Sequence, residues 1–411
     1  IATNAGAMAE VPPLNQGYRY GLAKDNEQLD WKRDWGFTLL SRDNPAFRDG
    51  AYLVGWNQEA GQNAAHFRGN SPSRAKDRFE VQLRHFAPQL SDIRYFGSGS
   101  DATSYCFDLA RRCGLERTSN VQWGALSEQR PMMAFFSGVY GGGRGESLAM
   151  NWEGFRRNSR LDLSRYEIES PTTSHFPVTD PAEKQRLEAL EAKALEKLEA
   201  MAKDTEHPIG AIFIEPIQGS KGVLCYRPEF MTALRELADR VNLPIIADEV
   251  LTSGGRTGKF FAYEHYQGFE PDYVTFGKGM QVNGVAHVQR SRPPRASAQR
   301  VMLGGITTGE GSAPDFHKAA QVLTAIRDQH LMERATEIGH RLESILSRTQ
   351  LKHREPVNVT AFGCLAAWKT HSRTDLMGTD GGERERLMPP MDLSDEALDT
   401  VERSLLGETP R

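Results

Sequence analysis

The sequence predicts an α/β protein built on a mostly parallel sheet, with one large and one smaller domain. Three observations carry this. From about residue 80, short apolar runs alternate with helical patterns, as strand–helix–strand units do. Three of those runs stop at or just before a chemically useful side chain, namely Glu215, Asp248 and Lys278, and ligands of such sheets gather at the carboxyl ends of strands. At 411 residues the chain can also bury a sizeable core and divide into domains.

The elements follow in order. Residues 1–60 mix aromatic and charged side chains, punctuated by Gly17, Gly21, Gly36 and Gly50. Ser104 to Arg112 places Tyr105, Leu109 and Arg112 on neighbouring turns of a helix. Met132 to Phe136 is a buried strand, followed by a glycine-rich turn from Gly138 to Gly145. Residues 181–203 form a charged amphipathic helix whose apolar stripe is Leu187, Leu190, Ala194 and Leu198, with Leu195 beside it. Then come the run Ala211 to Pro216, a helix at roughly 228–241, the run Leu243 to Asp248, and Tyr273 to Phe276. No internal repeat or low-complexity tract interrupts them.

Composition narrows the class. A formal charge of −4 with 25% charged residues creates no global basic field, so nucleic acid is not an expected partner. Arg290, Arg292, Arg295 and Arg300 cluster around Pro293 and Pro294, and read as a solvated loop. Four scattered cysteines (Cys106, Cys113, Cys225, Cys364) have no metal-ligand spacing and suit a reducing cytoplasm better than a disulfide framework. No apolar run reaches the roughly 18 to 20 residues of a membrane span, and no secretory segment opens the chain. The expectation is a cytoplasmic globular enzyme without metal.

The chemistry centres on two residues 278 − 248 = 30 positions apart. Lys278 lies between Gly277 and Gly279, so its stem leaves a slim backbone, and Asp248 ends an apolar run that must be buried. A buried carboxylate needs a cation or strong donor. An amine able to form a Schiff base, beside a carboxylate able to keep a pyridine nitrogen protonated, is what pyridoxal 5′-phosphate (PLP) requires. Desolvation and nearby positive charge should lower the Lys278 pKa. Taken alone, Asp248 also reads as a helix cap or a partner of Arg256, while Glu249 reads as structural. Arg94 to Thr103 is a strand-to-helix turn whose amides, with the Ser100 hydroxyl, would cup a phosphate; a plain capped loop is the alternative. Tyr140, set among glycines, has room to lie flat on a planar ring, or is an ordinary core tyrosine.

With these residues in place the pattern resembles the class III aminotransferases, PLP enzymes of fold type I. The stretches Phe213-Ile-Glu-Pro-Ile-Gln-Gly219, Ala247-Asp-Glu-Val250, Gly255 to His265 and Thr275-Phe-Gly-Lys-Gly279 follow that family in order and spacing, and the resemblance is strong over about residues 94–285. Gln281-Val-Asn-Gly-Val285 is similar to the lysine ε-aminotransferases. The resemblance implies a large PLP-binding domain over 61–305, with a smaller α+β domain built from both termini, 1–60 and 306–411. It further implies that Lys278 binds the cofactor aldehyde and moves the substrate proton, that Asp248 holds the ring nitrogen proton, and that Val250 packs on the ring face opposite Tyr140. Gly99 and Ser100 would bind phosphate. Thr308 would reach the phosphate from the other subunit of a homodimer with a shared active site, or is a turn threonine. Glu215 lies near the cofactor and Gln218 near the substrate, or both are hydrogen-bonded strand-end residues.

The departures from the family bear on substrate. Leu251 stands where many members carry a glutamine, Gly141 replaces a histidine, and Ser312-Ala313 replaces Asn-Pro. Thr360 and Phe362 stand where an arginine often clamps a substrate α-carboxylate. The expected donor is therefore a small-molecule amine whose amino group is terminal or not α to a carboxylate, passing it to a keto acid or aldehyde in two half-reactions. A racemase, aminomutase or decarboxylase of the same fold, and a non-catalytic binding protein, are the alternatives.

Overall fold

The computed structural model describes residues 39–40, 44, 74–118, 131–151, 156, 159, 161–174, 177–291, 311, 313–352, 358–369 and 384–406. Twelve strands lie within them: β1 (Leu90–Phe96), β2 (Met132–Phe136), β3 (Glu167–Ile168), β4 (Ile209–Ile214), β5 (Ile217–Gln218), β6 (Leu224–Cys225), β7 (Ile245–Glu249), β8 (Tyr273–Phe276), β9 (Asn283–Val288), β10 (Val359–Phe362), β11 (Leu365–Lys369) and β12 (Arg384–Leu387). The large sheet has the order β1-β9-β8-β7-β4-β2-β3. Its β3, β2, β4, β7 and β8 are mutually parallel, and β9 runs antiparallel to both β8 and β1. Every residue of β4, β7 and β8 is buried, as expected of parallel strands covered on both faces. The predicted mostly parallel α/β sheet is therefore present.

Helix α1 (Arg74–Phe86) precedes the sheet, and α2 (Gly99–Thr118) follows β1 directly. Close packing fixes α2 against the sheet: a Cβ on Gly210 of β4 would stand 1.8 Å from the Ala110 carbonyl oxygen. Only a glycine strand lets the helix backbone come so near, and this aims the first turn of α2 at the strand ends. Helices α3 (Pro181–Lys203) and α4 (Pro228–Arg240) fall where the apolar spacing predicts them. Both begin with proline at the first turn, where its missing N–H costs nothing.

The stripe on α3 differs from its prediction at one position. Glu191 is buried and Leu190 only half-buried, because Arg227 Nε and Nη2 each donate to Glu191 at 2.8 Å. A bidentate pair lets a carboxylate take a core position that hydrophobicity assigns to leucine. Arg227→Ala leaves Glu191 buried and uncompensated. It is expected to cost about 3 kcal/mol of stability, read from the denaturant midpoint. Replacing both residues by apolar side chains of similar volume should recover most of that loss.

A second antiparallel sheet, β10-β11-β12, is backed by α6 (Leu331–Lys352), which follows α5 (Ala313–Asp328), while α7 (Asp395–Leu406) closes the described part. Of the N-terminal region only Leu39, Leu40 and Asn44 are described. They join this part: Met391 N–H donates to the Leu39 carbonyl at 2.7 Å, and the Asn44 amide donates to Asp392 and Gln329. Arg290, expected in a solvated loop, instead has a side chain only 5% exposed and paired with Asp239 and Asp272. Arg292, Arg295, Arg300 and Thr308 lie outside the described residues. Among the described residues no helix is long and apolar enough to cross a membrane.

Candidate active site

The parallel strands deliver their ends to one cavity. It is lined by Glu215 beyond β4, Asp248 and Val250 at the end of β7, Lys278 beyond β8, Tyr140 in the glycine turn beyond β2, and Gly99 and Ser100 at the start of α2. Seven predicted residues thus meet in one place although they span 278 − 99 = 179 positions of sequence. Gln218 is not among the lining. It is buried beside a second cavity, where its amide donates to the Ser137 carbonyl at 2.9 Å, to Ser170 Oγ and to the Tyr226 hydroxyl.

Lys278 has a φ of 43°, a left-handed conformation costly for a side-chain-bearing residue and found most often where function holds it. Its neighbours must be small. A Cβ on Gly277 would meet Asn283 Oδ1 at 2.4 Å, and one on Gly279 would meet Leu39 Cγ at 2.5 Å. The ammonium sits 5.8 Å from the centre of the Tyr140 ring. Burial lowers its pKa to about 8, helped by the charges of Arg386 and Arg256 and opposed by Glu215 and Asp248. Both predicted causes, desolvation and nearby cations, operate here.

Asp248 is buried, and its Oδ1 accepts from the Val250 N–H at 3.0 Å and the Thr275 hydroxyl at 2.7 Å. Burial pushes its pKa up, while Thr275, Val250 and Lys278 pull it down. Glu215 accepts from the Tyr140 N–H, which fixes the aromatic turn. Its pKa is raised to about 8 by burial first and the charge of Asp248 second. Both carboxylates act electrostatically on the Lys278 amine. Glu249, the next residue along β7, is fully buried and accepts from Thr252 and from the N–H groups of Ala262 and Tyr263. Its structural assignment fits those bonds.

At the other end of the cavity, Ser100 Oγ accepts from the Gly143 N–H at 3.0 Å, which leaves its hydroxyl hydrogen available to an anion. The opening amides of an α-helix have no partner within the helix. Gly99 is held against Val250, since a Cβ there would stand 2.7 Å from Val250 Cγ1. Arg144 bridges Ser98 and Asp101 at this rim.

Two residues at or behind the cavity were missed in the sequence. Arg386, on β12, lines the cavity with Lys278, is buried, and donates from Nη1 to the Gly219 carbonyl at 2.8 Å. Two places earlier, Arg384 donates to the Gly222 carbonyl, Thr360 Oγ1 and the Ala367 carbonyl. Arginines at i and i+2 before an apolar Leu-Met-Pro-Pro run were the available signal, because period-two spacing puts both on one strand face. Thr275 is the second: it is buried behind the cavity wall, where its hydroxyl donates to Asp248, and nothing in the spacing signals that bond.

Comparison with known proteins decides the family. A family model described as Aminotransferase class-III matches residues 14–389, most of the chain. The chain belongs to the class III aminotransferases. Among members of this family, it is 36% identical over 183 residues to 5-aminovalerate aminotransferase DavT of Pseudomonas aeruginosa, covering 43% of this chain and 42% of that protein. It is 33% identical over 203 residues to L-lysine-epsilon aminotransferase of Mycobacterium tuberculosis, covering 47% and 45%. The match thus spans under half the length of these curated relatives. Among solved structures, lysine aminotransferase from M. tuberculosis in the internal aldimine form superposes with a TM-score of 0.78 at 24% identity, covering 94% of this chain and 91% of that one. The shared fold is the PLP-dependent transferase fold type I.

The residues present fit PLP. Asp248 has both of its described bonds on Oδ1, Ser100 keeps a donor, and Gly99 leaves the space beside Val250 that a side chain would fill. Lys278 would hold the aldehyde carbon, Asp248 the ring nitrogen, and Gly99 with Ser100 the phosphate.

Proposed function

We propose that this class III chain is a PLP-dependent aminotransferase. It takes an amino group that is terminal, or not α to a carboxylate, and passes it to a keto acid or aldehyde by a ping-pong route. The observation that carries this is the meeting of the Lys278 amine with two buried carboxylates, Asp248 and Glu215, in one cavity. The named relatives support the donor class: 5-aminovalerate and the ε-amine of lysine are both terminal amines. Arg386 supports the acceptor class, since a buried guanidinium lining the cavity brings positive charge towards a keto-acid carboxylate, which Thr360 and Phe362 cannot provide.

When bound, the cofactor ring takes up the electron pair released at the substrate carbon. Lys278 Nζ is the base that removes the proton from that carbon and returns it on the other side of the exchange, and a pKa of about 8 suits both directions. Asp248 keeps a proton on the ring nitrogen. Glu215 holds the Tyr140 turn, and its pKa of about 8 lets it carry a proton at neutral pH. Resemblance to the family further supports a homodimer in which Thr308 reaches the partner's phosphate site. The free state of all four cysteines suits the cytoplasm.

The test is the visible spectrum of the PLP-loaded protein before and after single donors: lysine, ornithine, β-alanine, 5-aminovalerate and a simple diamine. Conversion to the amino form of the cofactor with a terminal amine is the expected result. A lysine-bound band that never converts would favour a racemase, mutase or decarboxylase. Arg386→Ala removes one of the charges that lower the Lys278 pKa, so it should shift the pH profile of diamine conversion upward while slowing transfer to a keto acid more strongly. It should raise KM for a keto-acid acceptor by about 10-fold or more, the loss of one charge-assisted hydrogen bond.

A further inference from the structure

The geometry points to Thr275 as a positioning residue that keeps Asp248 ionised and confines its hydrogen-bonded side to Oδ1, reserving Oδ2 for the cofactor nitrogen. This rests on the aminotransferase reading above for its meaning, though not for its geometry. Thr275 is fully buried in the middle of the sheet, opposite Asp248 in the β7–β8 register. The direction of its hydroxyl is fixed by two neighbours. The Glu249 N–H donates to Thr275 Oγ1 at 3.3 Å, so that oxygen is already an acceptor there. Its own hydrogen then goes to Asp248 Oδ1 at 2.7 Å.

The consequence is chemical. Oδ1 receives two donors, the Thr275 hydroxyl and the Val250 N–H. An oxygen accepting two hydrogen bonds is the poorer place for a proton. Burial alone would push Asp248 towards the neutral acid, and a neutral acid cannot hold a pyridinium. The groups around Asp248 do not settle the matter by charge. Lys278 beyond β8 favours the carboxylate, Glu215 beyond β4 is itself pushed towards the neutral acid by burial and by the Asp248 charge, and Cys106 on α2 has its thiol pushed well above its usual range, so it stays neutral. Tyr140 lines the same cavity, its N–H bonded to Glu215. The neutral donors on β8 and at the end of β7 contribute more to keeping the carboxylate ionised than the Lys278 charge does. The competing explanation is that a β-branched residue simply fills a buried strand position.

Two variants separate these. Thr275→Val keeps the shape and loses the hydroxyl, whereas Thr275→Ser keeps the hydroxyl and loses a methyl. The Asp248 carboxyl is followed by 13C NMR in the full chain labelled at the aspartate carboxyls, with Asp248→Asn assigning the signal. In Thr275→Val it is expected to titrate about one pH unit or more above wild type, one lost hydrogen bond to a charged group. In Thr275→Ser it should stay within about 0.3 of a unit. A raised aspartate pKa means that the acid is neutralised at higher pH, so the low-pH limb of kcat in the PLP-loaded Val variant should move up in step. Coincident titrations of Thr275→Val and wild type, or an equal shift in Thr275→Ser, would overturn the assignment. Failure of the wild-type protein to take up PLP would count against the aminotransferase reading, while the carboxyl titration would still decide the hydrogen bond.

Discussion

Lys278→Ala is expected to abolish the visible band of lysine-bound cofactor and to lower turnover by about 10⁴-fold, the upper range for a positioned acid–base group. No other lysine lines the cavity among the described residues, so the loss has no local substitute. Borohydride reduction of the loaded wild type should trap the cofactor at Lys278 alone. Trapping at a different lysine in the variant would sink the assignment. The pH dependence follows from the lowered pKa of about 8. Only the neutral amine attacks an aldehyde, so its available fraction rises about tenfold from pH 7 to pH 9 for a group titrating near 8. Stopped-flow uptake of PLP by the apoprotein should rise accordingly, and a flat profile would mean that the amine is not held at that pKa.

Asp248→Asn is the second large effect. The amide keeps the size of the side chain and can still accept from Val250 and Thr275, so the cofactor should stay bound. What it loses is the negative charge that favours a protonated ring nitrogen. Turnover should fall by about 10²- to 10³-fold, as when one electrostatic partner of a developing charge is removed. Single-turnover mixing with a terminal amine reads the proton-transfer step directly. Near-normal rates there would argue that the ring nitrogen is held by something else.

Much of this site was legible because it follows strand order. Glu215, Asp248 and Lys278 each close an apolar run, and in a parallel sheet the run-ends must lie together whatever the loops do. Gly99 and Ser100 were legible for the same reason, as the first turn after β1. Arg386 was not: it lies 386 − 278 = 108 positions past Lys278, on a strand of a different sheet, and spacing along the chain carries no information about that contact. Glu191 was misjudged because hydrophobic periodicity cannot see Arg227, which arrives from the turn before α4. Gln218 shares a motif with Glu215, yet its amide is drawn to Ser137 and Ser170. Three residues along the chain were enough to place it beside another cavity.

The two consecutive acids of β7 carry a lesson about folding errors. Along a strand, neighbouring side chains leave by opposite faces, so Asp248 serves the cavity while Glu249 fastens residues 252, 262 and 263 on the other side. A slip of one residue between β7 and β8 would exchange them. The misregistered chain would still present a carboxylate to the cavity, but a longer one, and would strand an aspartate among donors spaced for a glutamate. It would lose Thr275 as partner and three hydrogen bonds in the same step. The pairing of unlike acids thus acts as a proofreader of strand alignment, rejecting a near-copy of the site that alternation of hydrophobic residues alone would reject less sharply.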